Sequence, residues 1–301
     1  MKVLITTSSF GDEGIQTLQK SGIEVVNNPY GRKITQTEAV SLLKGVDGVI
    51  AGLEQYDKDV LSRSELKVIS RCGSGLSNID LDAANKLNIA VYSTPDGPTQ
   101  SVAELTIGCL LSLIRNVPHV NNLMHAGKWE KTTGHLLKDM NVLLIGYGRI
   151  GKTVARILNA IGAKILVYDP FVSDKNIPDH FTKTDLTDGI KIADVITLHS
   201  SGEDLILGEK EFYLMKSGVY ILNAARGGLF DEDALERSLN SGQVRGAWLD
   251  TFQKEPYKGK LSDFEQVILT PHIGSYTMEG REKMELDSVN NLLHGLGLID
   301  K

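Results

Sequence analysis

The 301-residue chain has few cysteines, no large excess of positive or negative charge, and no long apolar run. Its two cysteines, Cys72 and Cys109, lie singly in apolar segments. Without a Cys-x-x-Cys pair they predict reduced core residues rather than a disulfide framework or a redox pair, and we predict no metal site. This cysteine usage is typical of a cytoplasmic protein.

The net charge of −6 is small and is spread along the chain. It argues against a nucleic-acid or anionic-membrane partner, since both require clustered Lys and Arg. No apolar run reaches the ~18 residues of a membrane span. The N-terminal stretch MKVLITTSSFG has no small-residue cleavage site of a signal peptide. We therefore predict a cytoplasmic protein that binds neither nucleic acid nor membrane.

Apolar segments typical of β-strands alternate along the chain with polar, helix-compatible stretches. With 41% hydrophobic and 23% charged residues, the composition is that of a soluble globular protein, and the length suggests two domains. Continuous apolar strands between helices predict parallel sheets that are covered on both faces. The first series of strands is predicted at 2–7, 23–27, 47–51, 66–71 and 89–93, and the second at 141–146, 164–169, 194–199, 219–224, 244–250 and 266–270.

The strand pattern breaks at TPDGP (94–98), which contains two prolines and a glycine. A long helix is predicted next over 99–117, and because it is apolar almost all round we expect it to be buried. A last helix is predicted over about 277–296. The predicted fold is α/β, with two doubly wound parallel-sheet domains. Their predicted bounds are 1–96 with 276–301, and 97–275.

The stretch NVLLIGYGRIG (141–151) predicts a dinucleotide site, because a strand runs into G-x-G-x-x-G and then into a helix. Gly146 allows a sharp turn, Gly148 leaves space for a pyrophosphate, and Gly151 lets the helix pack close to the strand. Asp169 closes the next strand at the expected distance, where it would bind ribose hydroxyls and repel a 2′-phosphate, favouring NAD over NADP. The alternatives are a tight structural turn or a methyltransferase glycine loop, whose ligand has no pyrophosphate.

Reactive residue types follow three strands of the second series. Because ligands bind at the carboxyl ends of strands in such sheets, Arg226, Glu255 and His272 are expected to converge. Arg offers a forked cation for a carboxylate or carbonyl, His can transfer a proton, and Glu would orient the imidazole. Each residue also has a plainer interpretation. Arg226 could cap a turn, Glu255 could be a solvated loop acid, and His272 could be a loop histidine. The three segments are NAARGG (223–228), LDTFQKEP (249–256) and TPHIGS (270–275).

An ordered set of motifs over nearly the whole chain resembles the D-isomer-specific 2-hydroxyacid dehydrogenases, particularly their phosphoglycerate dehydrogenase branch. The motifs are RCGSGLSNIDLDAA (71–84), SVAELTIG (101–108), HAGKWEK (125–131), LLIGYGRIGKTVA (143–155), NAARGGLFDEDAL (223–235), GAWLDTFQKEP (246–256) and TPHIGS (270–275). The resemblance places the family's catalytic Arg, Glu and His on Arg226, Glu255 and His272. It also implies that the main-chain amides of Ser74 and Gly75 receive the substrate carboxylate.

The resemblance further implies a substrate-binding domain at 1–96 and 276–301, and an NAD-binding domain at 97–275 that carries a dimerisation arm. The active site is expected in the cleft between them. Asp250 would hold the nicotinamide carboxamide. The predicted cofactor-binding residues are Gly146, Tyr147, Gly148, Arg149, Ile150, Gly151, Asp169, Pro170, Ala224 and Asp250.

Two departures from the family pattern affect the site. After TLH (197–199) the family usually continues with Pro and then Thr, whereas this chain has SSGEDLILGEKEF, so the cofactor contacts of this loop stay open. Ser77 stands where the family usually has Asp, which we interpret as structural variation. His199 also matches a family position, and it could lie near the nicotinamide or simply pack at the strand end.

We therefore predict a homodimeric NAD-dependent oxidoreductase in which NADH reduces the C2 carbonyl of a 2-keto acid while His272 donates the proton. Oxidation of 3-phosphoglycerate is the first candidate reaction. The loop AGLEQYD (51–57) opposes it, because it carries Glu54 and Asp57 and no base to bind a phosphate. A hydroxypyruvate or glyoxylate reductase is the alternative. Two further alternatives are a non-catalytic NAD(H)-sensing binding protein and a catalytically dead homologue.

Overall fold

The computed structural model describes residues 1–300. The chain divides into two compact units. The first unit contains Met1–Pro98 together with the chain from Ser275 onward, and the second contains Thr99–Gly274. The functional roles that the sequence assigns to the two domains, and an active site between them, stay predictions.

Within residues 1–300, twelve strands form two sheets, and every pairing described in them is parallel. The strands are β1 (Lys2–Ile5), β2 (Glu24–Asn27), β3 (Gly48–Ala51), β4 (Val68–Arg71), β5 (Ala90–Ser93), β6 (Asn141–Ile145), β7 (Lys164–Tyr168), β8 (Thr182–Lys183), β9 (Val195–Leu198), β10 (Val219–Asn223), β11 (Val244–Leu249) and β12 (Val267–Leu269).

Eleven α-helices are described in residues 1–300. They are α1 (Asp12–Lys20), α2 (Gln36–Leu42), α3 (Lys58–Ser62), α4 (Leu81–Lys86), α5 (Gly97–Ile114), α6 (Val117–His125), α7 (Arg149–Ala160), α8 (Leu186–Ile192), α9 (Glu209–Leu214), α10 (Glu232–Ser241) and α11 (Met278–Gly295).

The sheet of the first unit has the order β2-β1-β3-β4-β5, and the direction of the strand order reverses between β1 and β3. Helix α11 packs on this sheet, where the Ser70 hydroxyl donates a hydrogen bond to the Ser288 carbonyl at 2.8 Å. Strands β3 and β4 are buried along their whole length. A run of buried residues of this kind explains why these strands read as continuous apolar segments in the sequence.

The sheet of the second unit has the order β8-β7-β6-β9-β10-β11-β12, and here the reversal lies between β6 and β9. Alternate residues of β6 enter different cores: Leu143 and Ile145 join one hydrophobic cluster, and Val142 and Leu144 join the other. Successive side chains of a strand point to opposite faces, so both faces of the sheet are covered. The predicted fold class, two doubly wound parallel α/β domains, is confirmed.

One local prediction is wrong, and one strand was not predicted. The helix predicted over 99–117 ends at Ile114, because Asn116 adopts a left-handed conformation (φ 53°) and α6 begins at Val117 with Pro118 in its first turn. Proline fits the first turn of a helix, where its missing N–H has no partner to lose. Strand β8 was not predicted, since its two residues are exposed and carry no apolar signal.

Candidate active site

The glycine motif forms the turn between β6 and α7 that the sequence predicts. Gly146 has a φ of 98°, and a Cβ there would lie 2.6 Å from the Ser200 nitrogen and 2.7 Å from the His199 carbonyl carbon. A Cβ at Gly151 would overlap the Gly146 carbonyl oxygen. Gly148 caps α7 and has no atom within 4 Å of its Cβ direction. The turn thus combines a tightly packed backbone with open space at the helix N-terminus, which is the geometry that a pyrophosphate requires.

Asp169 lies directly beside this turn. Its Oδ2 accepts a hydrogen bond from the Tyr147 N–H at 2.8 Å, and its Oδ1 accepts one from the Phe171 N–H at 2.9 Å. Each carboxylate oxygen keeps a further lone pair for ligand hydroxyls. Arg149 and Ile150 form the first turn of α7 after Gly148, and Pro170 is exposed next to Asp169. The residues predicted to hold the adenosine half of a dinucleotide are therefore adjacent, and they fit this group.

His199 supports the glycine turn from the end of β9. Its Nε2 lies 3.0 Å from the Thr197 hydroxyl, and burial lowers the pKa of His199 to about 4. The imidazole is therefore neutral at pH 7. Of the two interpretations that the sequence leaves open, packing at the strand end is the one for which contacts are seen.

Glu255 and His272 form the centre of the candidate catalytic group. The His272 Nδ1 lies 3.0 Å from the Glu255 Oε2, and both side chains are partly open to solvent, at 40% and 38% exposure. Glu255 Oε1 also accepts a hydrogen bond from the Phe252 N–H at 3.2 Å. With Nδ1 turned to the carboxylate, Nε2 is the ring atom that can exchange a proton with a substrate.

The pKa of the Glu255 carboxyl lies below its ordinary value. Partial burial acts to raise this pKa, but the hydrogen bond and charge of His272, the Phe252 N–H and the charge of Arg226 together outweigh burial. The carboxylate therefore stays ionised at neutral pH. The three predicted catalytic residues all lie in the second unit.

Arg226 lies in a loop that is packed against the Glu255 loop. The Asn223 side chain fixes this loop by accepting from the Ala225 N–H at 3.0 Å and donating to the Arg226 carbonyl at 2.8 Å. A Cβ at Gly227 would overlap the backbone of Phe252, so only glycine permits this close approach. Ala224, predicted to contact the cofactor, directly follows β10 at the same sheet edge.

Asp250 anchors the loop that carries His272, a role that the sequence did not predict. Its side chain is buried, with 1% exposure. Its carboxylate accepts hydrogen bonds from the Thr270 hydroxyl at 2.6 Å, the Ile273 N–H at 2.9 Å and the Gly274 N–H at 2.7 Å. These bonds hold His272 in a left-handed conformation (φ 56°), which is uncommon for a residue with a side chain and is often found at functional sites. Contact of Asp250 with the nicotinamide stays a prediction.

Ser74 and Gly75 belong to the first unit and follow β4. The preceding Gly73 has a φ of 139°, and it exchanges two hydrogen bonds with Thr94, at 2.7 and 2.9 Å. A Cβ at Gly73 would meet the Arg71 guanidinium. Ser74 is exposed, and the reception of a substrate carboxylate by its amide and that of Gly75 stays a prediction.

Comparison with known proteins identifies relatives of the whole chain. The family model described as D-isomer specific 2-hydroxyacid dehydrogenase, NAD binding domain, matches residues 107–274. The chain is 36% identical over 275 residues to the D-3-phosphoglycerate dehydrogenase of Homo sapiens, covering 88% of this chain and 51% of that protein. It is 33% identical over 297 residues to the hydroxypyruvate reductase of Thermotoga maritima, covering 93% of this chain and 96% of that protein. The chain thus spans about half the length of these phosphoglycerate dehydrogenases.

Solved structures give the same result. A protein from Thermus thermophilus superposes with a TM-score of 0.92 at 30% identity, covering 99% of this chain and 97% of that one. A glyoxylate reductase from Paecilomyes thermophila superposes with a TM-score of 0.89 at 27% identity, covering 98% and 95%. Within residues 1–300, no helix combines the length and the hydropathy of a membrane span.

Proposed function

Because the chain belongs to the D-isomer specific 2-hydroxyacid dehydrogenases, we propose that it is an NAD-dependent oxidoreductase that interconverts a 2-keto acid and the D-2-hydroxy acid. The family and the NAD cofactor predicted from the sequence are confirmed by the family match. The observation that carries the proposal is the Glu255–His272 pair, at 3.0 Å, in the same unit as the glycine turn and Arg226.

His272 is the proton donor in the direction of reduction. When bound, NADH supplies the hydride that adds to C2 of the keto acid. The imidazolium Nε2 gives its proton to the carbonyl oxygen, and the neutral imidazole takes it back in the reverse direction. Glu255 stabilises the imidazolium and fixes its orientation through Nδ1. Arg226 offers a cation that can polarise the carbonyl or bind the substrate carboxylate.

The proposal is tested by assaying the purified protein with NADH and a panel of 2-keto acids, following the loss of NADH absorbance. We expect turnover with at least one of them and D stereochemistry in the product. NADH binding without turnover of any 2-keto acid would contradict the enzyme assignment and favour the NAD(H)-sensing binding protein.

The identity of the keto acid remains between two candidates. Sequence identity to phosphoglycerate dehydrogenases favours phosphohydroxypyruvate, the keto acid that corresponds to 3-phosphoglycerate. The hydroxypyruvate reductase that matches almost from end to end favours an unphosphorylated acid. The loop at 51–57 has no basic residue that could bind a phosphate, and of its two acids Glu54 is buried and Asp57 caps α3. Comparison of kcat/KM for phosphohydroxypyruvate and hydroxypyruvate decides between them, since a preference for hydroxypyruvate would reject the phosphoglycerate candidate.

We further propose that the protein acts as a cytoplasmic homodimer. Helix α6 and the segment after it expose Val117, Met124, Trp129 and Leu136, with Trp129 at 80% exposure. A group of large apolar side chains exposed along one segment is typical of an interaction surface. Light scattering at micromolar protein concentration should give the mass of a dimer, and a monomer mass would contradict this assembly.

A further inference from the structure

Glu54 is a buried carboxylate at the position where the strand order of the first unit reverses. It follows β3, and its exposure is 1%. Its Oε1 accepts hydrogen bonds from the Tyr56 hydroxyl at 2.7 Å, from the Gly52 N–H at 3.0 Å and from the Thr6 hydroxyl that follows β1. Glu54 therefore ties together the ends of the two strands that flank the reversal.

The same cluster holds the end of the loop that contains Ser74 and Gly75. The Asn78 side chain donates to the Glu54 carbonyl at 2.6 Å and to the Gly52 carbonyl at 3.3 Å. The Tyr56 N–H donates to the Asn78 carbonyl at 2.8 Å, and the Asp80 N–H donates to the Tyr56 carbonyl at 2.9 Å. A continuous set of hydrogen bonds thus runs from the end of β1, through Glu54 and Tyr56, to residues 78–80.

We propose that Glu54 is a positioning residue, which fixes the Ser74–Gly75 loop so that its amides can receive the substrate carboxylate. The proposal rests on the proposed function for the identity of the ligand. The cluster has the character of such an anchor, because Thr6, Glu54 and Tyr56 are each at most 1% exposed and satisfy one another. Burial, followed by the charge of Glu54, raises the pKa of Tyr56 well above its ordinary value, so this hydroxyl keeps its proton and donates it.

Loss of the carboxylate should weaken substrate binding while leaving the cofactor site intact. Glu54→Ala removes the common acceptor of three donors and frees the loop end. A small displacement of a binding group can cost up to about 100-fold in rate at low substrate. We expect a rise in KM for the keto acid of about 10- to 100-fold, with an unchanged Kd for NADH, because the glycine turn lies in the other unit. The matched control is Glu65→Ala, which removes the same group from an exposed position of the first unit.

Two further readouts separate positioning from general loss of structure. Glu54→Gln keeps an acceptor oxygen at the same place and should retain a KM close to that of the unmodified protein. Formate or acetate should lower the raised KM of Glu54→Ala, since a small carboxylate fits the space that the side chain leaves. Normal KM in a folded Glu54→Ala variant, or a raised KM that Gln does not restore, would overturn the proposal.

Hydrogen exchange of the amides at residues 74–80 tests the anchor without any substrate. Exchange should be faster in Glu54→Ala than in Glu65→Ala. If the unmodified protein reduces no 2-keto acid but this difference is found, the proposed function fails and the anchor stands. If the protein is active and exchange is the same in both variants, the anchor fails and the proposed function stands.

Discussion

In the second unit the strand order reverses between β6 and β9, where Gly146 packs against the backbone of His199 and Ser200 and Gly148 leaves space at the start of α7. In the first unit the strand order reverses between β1 and β3, and Glu54 fills this position. Open parallel sheets bind ligands outside the carboxyl ends of their strands at such reversals. One sheet therefore has space at this position, where we expect the phosphates of the cofactor to bind, and the other occupies it with a carboxylate of its own. The comparison shows that a shared topology does not imply a shared ligand, because the side chains at the reversal determine what can enter.

The largest effect on activity is expected from a substitution that removes the proton donor and leaves the strand-order reversals of both sheets intact. His272→Ala should lower kcat by about 10²- to 10⁴-fold, since it removes the general acid, and NADH binding should stay normal. His180→Ala is the matched control, because His180 is an exposed histidine of the same unit that lies outside the proposed dimer surface. Near-normal turnover by the His272 variant would remove it from the proton-transfer role.

Two glycine substitutions should separate the packed side of the cofactor turn from its open side. Gly146→Ala places a Cβ against the Ser200 nitrogen at a positive φ, so we expect a lower melting temperature as well as weaker NADH binding. Gly148→Ala meets no atom within 4 Å and keeps a φ of −77°. This variant should fold normally and still bind NADH at least about tenfold more weakly, because the methyl group occupies the pyrophosphate space. Tight NADH binding by Gly148→Ala would place the pyrophosphate elsewhere.

Asp169 is the residue that we expect to determine whether NAD or NADP is accepted. We expect the unmodified protein to use NADH far better than NADPH, and Asp169→Ala to reduce the preference by about tenfold or more, since a hydrogen bond to a charged group contributes about 1.5–3 kcal/mol. The variant should also bind NADH less tightly, because the Tyr147 and Phe171 N–H groups lose their acceptor. The measurement is kcat/KM for both cofactors, and equal use of the two by the unmodified protein would contradict the role of Asp169.

Glu255→Gln should change the pH dependence of reduction more than its maximum rate. The pKa of Glu255 lies below its ordinary value, because its interactions with His272, Phe252 and Arg226 outweigh partial burial. Its charge is therefore fully present above the ordinary carboxyl range and is lost only as the pH falls through the lowered pKa. Without this charge the imidazolium is less stable, so the pH above which the reduction rate declines should move down. A profile of kcat/KM against pH that is identical in both proteins would contradict this coupling.

The positions of residues that lie in short local motifs were predictable from the sequence. Contacts between residues far apart in the chain were not. The glycine turn, Asp169 and the Arg226, Glu255 and His272 group each follow a predicted strand, so the strand pattern alone places them at one sheet edge. Glu54 was interpreted as an acid that would face a phosphate, but it is buried against Thr6, which lies 48 residues earlier in the chain.

The anchoring of the His272 loop by Asp250 was not predictable for the same reason. Its hydrogen-bond partners at 270, 273 and 274 follow the end of β12. No local sequence pattern predicts these contacts. The break between α5 and α6 had a local signal, since the asparagine and proline at 116 and 118 are both residue types that end or begin helices.

The smallest effect concerns two buried threonines that differ in their hydrogen bonding. The Thr251 hydroxyl, on a residue with 2% exposure, has no hydrogen-bond partner within residues 1–300, whereas the Thr6 hydroxyl bonds Glu54, the Ile50 carbonyl and the Gly52 N–H. Valine has the same shape without the hydroxyl. Thr251→Val should stabilise the protein by about 1 kcal/mol, because it removes an unsatisfied buried group, and Thr6→Val should destabilise it by about 1–3 kcal/mol, because it leaves its partners unsatisfied. Thermal melting of both variants checks the opposite signs. A lower melting temperature for Thr251→Val would mean that its hydroxyl has a partner in solution.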